Sequence, residues 1–394
     1  MSTRTTRLTS LAAAGVAALL LVSGCSSDGT STKTASGAGT SSDTSAAAAS
    51  DTSGVLQTAY KGVTGTPPTT TSAAAGSKSV WVVSCGESIP TCARPAAAAA
   101  DAAKAAGWTS KVCDGQINPQ GWAACIRQGI SAKSDGIIVV GSDCVTLQGA
   151  LQEAKEAGIP TVAAGGADCD VTGGAPLFSA VVQNLPDMTA EQWWNKMGAL
   201  QADWIVGKTN AKAKVLSLRF ADGLFGPWIQ EGFEKELASA CPTCKIVGTV
   251  DVGNADVGSG QLPQKFSTAL LQHPDANAVN VPLDGWFFAG LGQAITASGQ
   301  TDQLAVIGNF AEPGNLDFIR KGAGQDASVA FAAPWVGWSG VDALIRLSNG
   351  GKPEPAGVGL QVVDKDNNMP AGPEFAYNPQ SDFAAAYTKA WGKA

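Results

Sequence analysis

Carboxylates, amides and aromatic rings follow short apolar runs along this sequence. A carboxylate accepts hydrogen bonds from hydroxyl groups, and an aromatic ring packs against an apolar C–H face. Together they suit the non-covalent binding of a hydroxylated, ring-bearing molecule. The positions concerned are the acids Glu87, Asp168, Asp222, Asp284 and Glu312, the rings Trp228, Trp286, Phe310 and Trp335, and the loop residues Ile89 and Asn254.

Signatures of catalysis are weak in this sequence. The chain has 1 histidine, His273, which excludes a metal site built from several histidines. No P-loop or nucleophile-elbow motif follows a predicted strand. The acids named above would permit glycoside hydrolysis, but so would any set of acidic loops. We therefore expect no enzymatic activity, no cofactor and no metal.

Alternating strands and helices must position these residues. From Ser79 onward the pattern predicts about five strand–helix units, a long helix over 189–208, and about five further units. Uninterrupted apolar strands such as Gly136–Gly141 are typical of parallel sheets covered on both faces. The expected fold is α/β, with two Rossmann-like lobes of parallel sheet flanked by helices. Ligands of such sheets bind at the carboxyl ends of the strands, where the loops named above begin.

The N-terminal residues predict export and a membrane anchor. Arg4 and Arg7 precede an apolar run over 11–22, which is too short to span a bilayer and ends just before Ser23-Gly24-Cys25. This resembles a bacterial lipoprotein signal, in which the cysteine is lipidated. Residues 1–24 are then the signal peptide, and Cys25 with 26–53, rich in Ser, Thr and Ala, forms a disordered tether.

A short arm is predicted between the tether and the first strand. Within residues 54–78, Val55, Leu56 and Tyr60 have the spacing of a short helix that docks on the folded body.

Charge and cysteine content agree with an extracytoplasmic protein. The net charge is −7, which argues against a nucleic-acid partner because phosphate binding needs clustered positive charge. The chain has 9 cysteines, and this number indicates an oxidising compartment.

Local motifs of the folded part resemble the type I periplasmic-binding-protein family, the solute receptors of ABC importers. The segments 134–139 (SDGIIV) and 157–162 (AGIPTV) are similar to the third strand and to the approach to the fourth strand in that family. Gly232-Phe233 and Ile307-Gly308 resemble its motifs in the second lobe. The ribose- and galactose-type lipoproteins of actinobacteria are the most similar in style.

The resemblance implies a hinge between the lobes and a ligand cleft between them. The N-terminal lobe would comprise 79–187 plus about 335–360, and the C-terminal lobe 188–334 plus about 361–394. The protein would be a monomer at the extracellular face of the cytoplasmic membrane. It would capture a sugar or sugar-like solute by lobe closure and deliver it to an ABC permease. A ligand-sensing lipoprotein with the same fold, a receptor for a nucleoside or aromatic solute, and a surface hydrolase remain open alternatives.

Eight cysteines remain once Cys25 is set aside, and they are expected to form structural disulfides. Neighbouring positions in the expected fold favour one pairing among the 105 that eight cysteines allow. A redox role for the Cys-Pro-Thr-Cys motif is disfavoured, because this motif follows a helix and precedes a strand. The expected pairs are Cys85–Cys92, Cys113–Cys125, Cys144–Cys169 and Cys241–Cys244.

Overall fold

The computed structural model of this chain describes residues 52–375 and 381–393. The predicted signal peptide, Cys25 and the predicted tether up to residue 51 lie outside the described residues. No helix within the described ranges has both the length and the apolar character that crossing a bilayer requires.

A parallel sheet with helices on both faces forms the first lobe. Its strand order is β2-β1-β3-β4-β5. Strands β1 and β3 are almost wholly buried, as expected for Val- and Ile-rich strands in the middle of a covered sheet. The elements up to this point are α1 (Thr52–Lys61), β1 (Ser79–Ser84), α2 (Pro90–Ala105), β2 (Thr109–Asp114), α3 (Pro119–Ser131), β3 (Gly136–Val140), α4 (Gln148–Glu156), β4 (Thr161–Ala164) and β5 (Ala180–Val181).

A second sheet, with strand order β11-β10-β9-β8-β6-β7, forms the second lobe. Its strands are parallel except β11, which pairs antiparallel with β10 at one edge. The remaining elements are α5 (Ala190–Lys208), β6 (Lys214–Phe220), α6 (Phe225–Ala240), β7 (Lys245–Val252), α7 (Asn254–Gly258), α8 (Leu262–Gln272), β8 (Ala278–Asn280), α9 (Gly292–Ala297), β9 (Ala305–Phe310), α10 (Pro313–Lys321), β10 (Ala327–Ala330), α11 (Ala333–Ser348), β11 (Gln361–Asp364) and α12 (Phe383–Ala390).

The long helix α5 opens the second lobe, as predicted. It begins at a capping box, in which the Thr189 side chain accepts the Gln192 N–H and the Gln192 side chain accepts the Thr189 N–H. It packs along α6 and against β9 and β10. The predicted α/β fold with two lobes of mainly parallel sheet is confirmed.

One predicted helix is interrupted. The apolar pattern predicts a helix over 286–298, but the chain forms a π turn at Phe287–Leu291 before α9. Gly290 has φ +100°, and a Cβ there would lie 2.6 Å from Cγ of Pro263. The interruption therefore requires glycine and allows α8 to approach closely.

The C-terminal segment divides between the two lobes. Strand β11 lies in the second sheet, but α12 packs against α11, which itself packs against α2 of the first lobe. Trp391 stacks on Trp338 with ring centres 5.6 Å apart and donates to Asp342. The predicted placement of 361–394 in the second lobe therefore does not hold for α12.

The predicted arm is ordered and contacts both lobes. Helix α1 packs on α5 and β11, and Val63 pairs with Leu360. Farther along, the Arg346 side chain of α11 donates to Thr70.

The four disulfides are those expected from the sequence. Three of them brace loops of the first lobe, and the fourth closes the turn between α6 and β7. The Cα–Cα distances are 5.2 Å for Cys85–Cys92, 5.7 Å for Cys113–Cys125, 5.1 Å for Cys144–Cys169 and 5.3 Å for Cys241–Cys244.

Candidate functional site

The carboxyl ends of the parallel strands of the two sheets face each other across a cleft. Polar contacts between described residues cross it, among them Arg94 Nη1, which donates to Glu312 Oε2 at 2.7 Å, and the Leu224 N–H, which donates to Asp143 Oδ2 at 3.2 Å. Arg94 and Asp143 follow β1 and β3, whereas Leu224 and Glu312 follow β6 and β9. The facing loops are therefore in contact, which is a closed arrangement of the lobes.

Glu312 presents a buried carboxylate at this cleft. Its side chain is 1% exposed, and that of Arg94 is 18% exposed. Burial raises the pKa of Glu312 above its usual range, and the Arg94 guanidinium opposes this shift. Its Oε1 atom is buried and has no hydrogen-bond partner among the described residues. Since a buried acceptor is normally satisfied, Oε1 is suited to accept a hydroxyl group of a bound molecule.

The first lobe adds a second polar position next to β3. Asp143 Oδ1 accepts the Ala167 N–H at 3.0 Å, and its other oxygen accepts the Leu224 N–H across the cleft. Burial raises the pKa of Asp143, while these two N–H groups act in the opposite direction. The neighbouring Ser142 hydroxyl is buried and finds no hydrogen-bond partner within the described ranges.

A row of aromatic rings forms the second-lobe edge of the cleft. Phe220 and Phe310 end β6 and β9, Phe225 starts α6, and Trp194 lies in the first turns of α5. The ring centres of Trp194 are 5.2 Å from Phe225 and 5.9 Å from Phe310, and Phe220 lies 5.1 Å from Phe225. Trp194, Phe220 and Phe310 are each 8% exposed, so in this arrangement the rings pack mainly on one another.

A strained turn joins this row to the buried carboxylate. Phe310 and Ala311 have φ values of +95° and +53°, in the left-handed region that residues other than glycine rarely adopt. Asp284 Oδ2 accepts the Ala311 N–H and the Ser328 hydroxyl, each at 2.8 Å. The turn therefore orients both Phe310 and Glu312, and Asp284 holds it from within the lobe.

Asp284 and Trp286 are core residues of the second lobe and do not fit their predicted contact with a ligand. Asp284 is 0% exposed, and its Oδ1 accepts the Gln325 amide at 2.9 Å. Burial raises its pKa well above the usual range, against the opposing hydrogen bonds. Trp286 is 3% exposed and meets Phe220 edge-on, with ring centres 6.2 Å apart. Both side chains support the cleft from behind.

Trp335 and Asp168 also have structural positions and do not fit their predicted contact with a ligand. Trp335 is 1% exposed and stacks on Phe383, with ring centres 5.3 Å apart, so it packs under the C-terminal helix and does not form a wall of the cleft. Asp168 is buried and accepts the N–H groups of Cys169, Leu177 and Phe178. It therefore organises the loop after β4.

The other predicted residues lie on loops around the cleft. Asp222 is exposed and accepts the Asn254 N–H at 2.7 Å, which joins the loops after β6 and β7. Glu87 is exposed in the loop after β1, Ile89 is half-buried just before α2, and Trp228 is half-buried on α6. Their contact with a ligand stays a prediction, as it does for Phe310 and Glu312.

Sequence reasoning missed several residues of the cleft. Arg94 lies inside α2, one turn beyond the loop after β1, and nothing local distinguishes it from a surface cation. Asp143 follows a predicted strand in the same way as the acids that were selected, so the strand rule could have found it. Trp194, Phe220 and Phe225 read as core residues, because a ring at the end of a strand has the same local pattern whether or not it reaches a cleft.

Comparisons with known proteins agree with this architecture. A family model described as "Periplasmic binding protein domain" matches residues 80–352, which is more than half of the chain. A comparison with curated proteins yields no match.

Solved structures of solute-binding proteins resemble this chain at low sequence identity. A galactofuranose-binding protein is 21% identical with a TM-score of 0.61, and the match covers 73% of this chain and 95% of that chain. A solute-binding protein from Burkholderia graminis C4D1M, in complex with D-arabinose, is 20% identical with a TM-score of 0.62, covering 75% and 97%. The arabinose-transporter component of Shewanella sp. ANA-3, bound to L-arabinofuranose, is 20% identical with a TM-score of 0.59, covering 79% and 95%. At these identities the likeness extends to the fold.

Proposed function

This chain belongs to the type I periplasmic-binding-protein family, and from that premise we propose that it captures a sugar or sugar-like solute between its lobes for an ABC importer. Members of this family bind solutes for transport and are not enzymes. Closure of two lobes around a ligand is the usual conformational change of such receptors.

The observation that carries the proposal is the buried carboxylate of Glu312 next to the aromatic row. One carboxylate oxygen has no donor among the described residues, and the Phe310 ring stands two residues earlier on the same strained turn. A sugar matches both features, because its hydroxyl groups can donate to the carboxylate oxygen and its apolar C–H faces can pack on the ring. The sugars named for the similar structures support this solute class.

Titration of the protein with solutes tests this proposal. We expect tryptophan fluorescence to change saturably with one or a few pentoses or hexoses, because Trp194 lies in the aromatic row. Isothermal titration calorimetry then gives the dissociation constant. Glu312→Gln and Phe310→Leu should each weaken binding at least tenfold, since each removes one half of the recognition.

A matched control uses Leu271, which is 82% exposed on α8. Leu271→Ala should leave the dissociation constant unchanged. If no sugar binds, and a nucleoside or aromatic solute does, then the solute class is wrong while the receptor role stands. Because the aromatic row contains four rings, nucleosides and aromatic solutes are included in the titration.

Lipid anchoring at Cys25 and delivery to a permease complete the proposal. Cys25 lies outside the described residues, and the motif that precedes it is the support. Metabolic labelling with a fatty-acid analogue should modify the wild-type chain and not Cys25→Ala. Deletion of the chain should abolish uptake of the bound solute; unchanged uptake combined with a lost transcriptional response would favour a sensing lipoprotein.

A further inference from the structure

Arg94 is the cation that faces the buried carboxylate of Glu312, and it belongs to the opposite lobe. It lies in the second turn of α2, which packs on β1 and α11, whereas Glu312 stands between β9 and α10. Its Nη1 is 2.7 Å from Glu312 Oε2, and its Nη2 is 3.5 Å from the exposed carboxylate of Glu374. The pair joins α2 of the first lobe to the turn between β9 and α10 of the second lobe, so the contact depends on closure of the lobes.

We propose that Arg94 and Glu312 form an interlobe latch, which stabilises the closed state before solute binds and positions Glu312 for the solute. The positioning role rests on the proposed function, whereas the latch does not. Arg94 binds Oε2 and leaves Oε1 without a donor among the described residues. In this proposal, Oε2 of Glu312 binds Arg94 and stabilises the closed state, and Oε1 binds the solute.

The physical reason is the cost of burying a charge. In the closed arrangement the Glu312 side chain is 1% exposed, so its carboxylate has lost nearly all contact with water. A buried carboxylate without a partner is strongly unfavourable, and removing one member of a buried pair leaves such a charge behind. Closure is therefore favourable only while Arg94 accompanies Glu312 into the cleft. In an open state both groups would be hydrated.

The backbone of the turn that carries Glu312 is held in a defined conformation. Phe310 and Ala311 hold left-handed backbone angles, and the Ala311 N–H is bound to Asp284. The backbone of this turn is therefore fixed within the second lobe, with Glu312 at its end. The contact of Asp143 with the Leu224 N–H crosses the cleft at a second place. The lobes are therefore joined by two separate contacts, of which the latch is one.

Distance measurement without solute tests the latch. Spin labels are attached at Asp101→Cys of α2 and Leu271→Cys of α8, both at exposed positions. Double electron–electron resonance then measures the distance between the two lobes. We expect the wild-type chain to populate a closed distance in buffer alone. Arg94→Met should reduce the closed fraction at least threefold, and the double variant Arg94→Met/Glu312→Gln, which no longer buries a charge, should recover part of that loss.

Two further variants separate a latch from a general structural effect. Arg127→Met breaks the exposed pair with Glu153 within the first lobe and should leave the closed fraction unchanged. Arg94→Lys keeps the charge but loses the planar guanidinium, so it should restore part of the closed fraction that Arg94→Met loses. Thermal unfolding of each variant confirms that it is folded.

The outcomes for the latch and for the proposed function differ. A wild-type chain that is fully open in buffer, or an Arg94→Met chain that closes as often as the wild type, would overturn the latch. Failure of every sugar to bind, with the expected opening of Arg94→Met, would overturn the solute class and leave the latch intact. If Arg94 also positions Glu312, then Arg94→Met should weaken sugar binding by a larger factor than the factor by which it lowers the closed fraction. Equal factors would overturn the positioning role.

Discussion

Asp284 acts on the cleft through backbone geometry. The carboxylate is wholly buried, and each of its oxygens accepts at least one N–H group: Oδ1 from Gln325, and Oδ2 from Ala311. This explains how two consecutive residues without the freedom of glycine maintain positive φ values at the end of β9. A carboxyl group suits this position because both of its oxygens can accept hydrogen bonds.

Replacement of Asp284 tests this role at the residue scale. In Asp284→Asn the amide must place its NH₂ group against the N–H of either Ala311 or Gln325. We expect a loss of about 1–3 kcal/mol in the free energy of unfolding, measured by denaturant titration, because two opposed donors replace a buried hydrogen bond. Asp101→Asn on the exposed side of α2 is the control. A variant as stable as the control would show that the turn does not depend on Asp284.

At the scale of elements, the packing of α5 against α6 buries an acidic pair. Asp203 of α5 is 4% exposed and is hydrogen-bonded to Glu236 of α6, with Lys196 nearby. Burial, followed by the charge of Glu236, raises the pKa of Asp203 to about 7. Because the folded pKa exceeds the ordinary value of 3.8, the folded state binds a proton that the unfolded state releases.

This pair predicts a pH dependence of stability. The contribution of Asp203 is fully present below about pH 4 and is lost as the pH rises through about 7. In Asp203→Asn, which carries no charge, the free energy of unfolding should vary less between pH 4 and pH 7, and at pH 8 it should equal or exceed that of the wild type. Thermal unfolding across this range measures the effect. Parallel curves for the two chains would contradict the prediction.

Asp364 at the end of β11 is one of the groups that hold the arm to the second lobe. Its Oδ2 accepts the Tyr60 hydroxyl at 2.6 Å and the Lys208 ammonium at 3.0 Å, and its Oδ1 accepts from Asn367. Burial would raise the pKa of Asp364, but these hydrogen bonds outweigh it and lower the pKa to about 2. The charged form therefore binds α1 to the lobe.

We expect the arm to separate from the second lobe at low pH, or when the Tyr60 hydroxyl is removed. Since the folded pKa is below the ordinary value of 3.8, this stabilisation is present above about pH 4 and is lost as the pH falls toward 2. At neutral pH, Tyr60→Phe should increase proteolytic cleavage within residues 52–74 several-fold, because local opening becomes cheaper. Thr58→Ala, which removes a hydrogen bond within α1 alone, is the control. Equal cleavage of both variants would refute the anchoring role.

At the scale of the whole molecule, the chain passes between the lobes several times. The segments 182–189, 331–332 and 349–360 connect elements of one sheet with those of the other, and the arm crosses beside them. At this crossing Gly65 approaches so closely that a Cβ would lie 2.5 Å from the Gly357 carbonyl oxygen. The arm therefore lies directly against one of the segments that connect the lobes.

Disulfides strengthen the two lobes unequally. The Cys144–Cys169 bond closes a loop with a sequence separation of 25, whereas Cys241–Cys244 spans 3. The chain-entropy relation gives losses of about 3.5 and about 1.6 kcal/mol when each bond is removed. We expect the paired alanine variants, measured by chemical denaturation, to follow this order. A larger loss for Cys241–Cys244 would contradict the entropic account.

Much of the fold follows from local patterns. The alternation of apolar strands with helices predicts both lobes, because period and run length are properties of neighbouring residues. The disulfide pairs follow from the positions of cysteines at the ends of adjacent elements. Interruption of the helix after Trp286 could not be predicted in the same way, because it depends on Pro263 of α8 packing against Gly290.

By itself the sequence determined the α/β class, the two lobes and the cysteine pairing, whereas the signal that it predicts before Cys25 stays a prediction. The tertiary structure decided which side chains lie in the cleft. Asp284 and Glu312 both follow strands, yet the first is enclosed by its own lobe and the second meets Arg94 from the other lobe. The reason is that local pattern specifies where a strand ends, whereas the direction of a side chain beyond that end depends on distant residues packed around it.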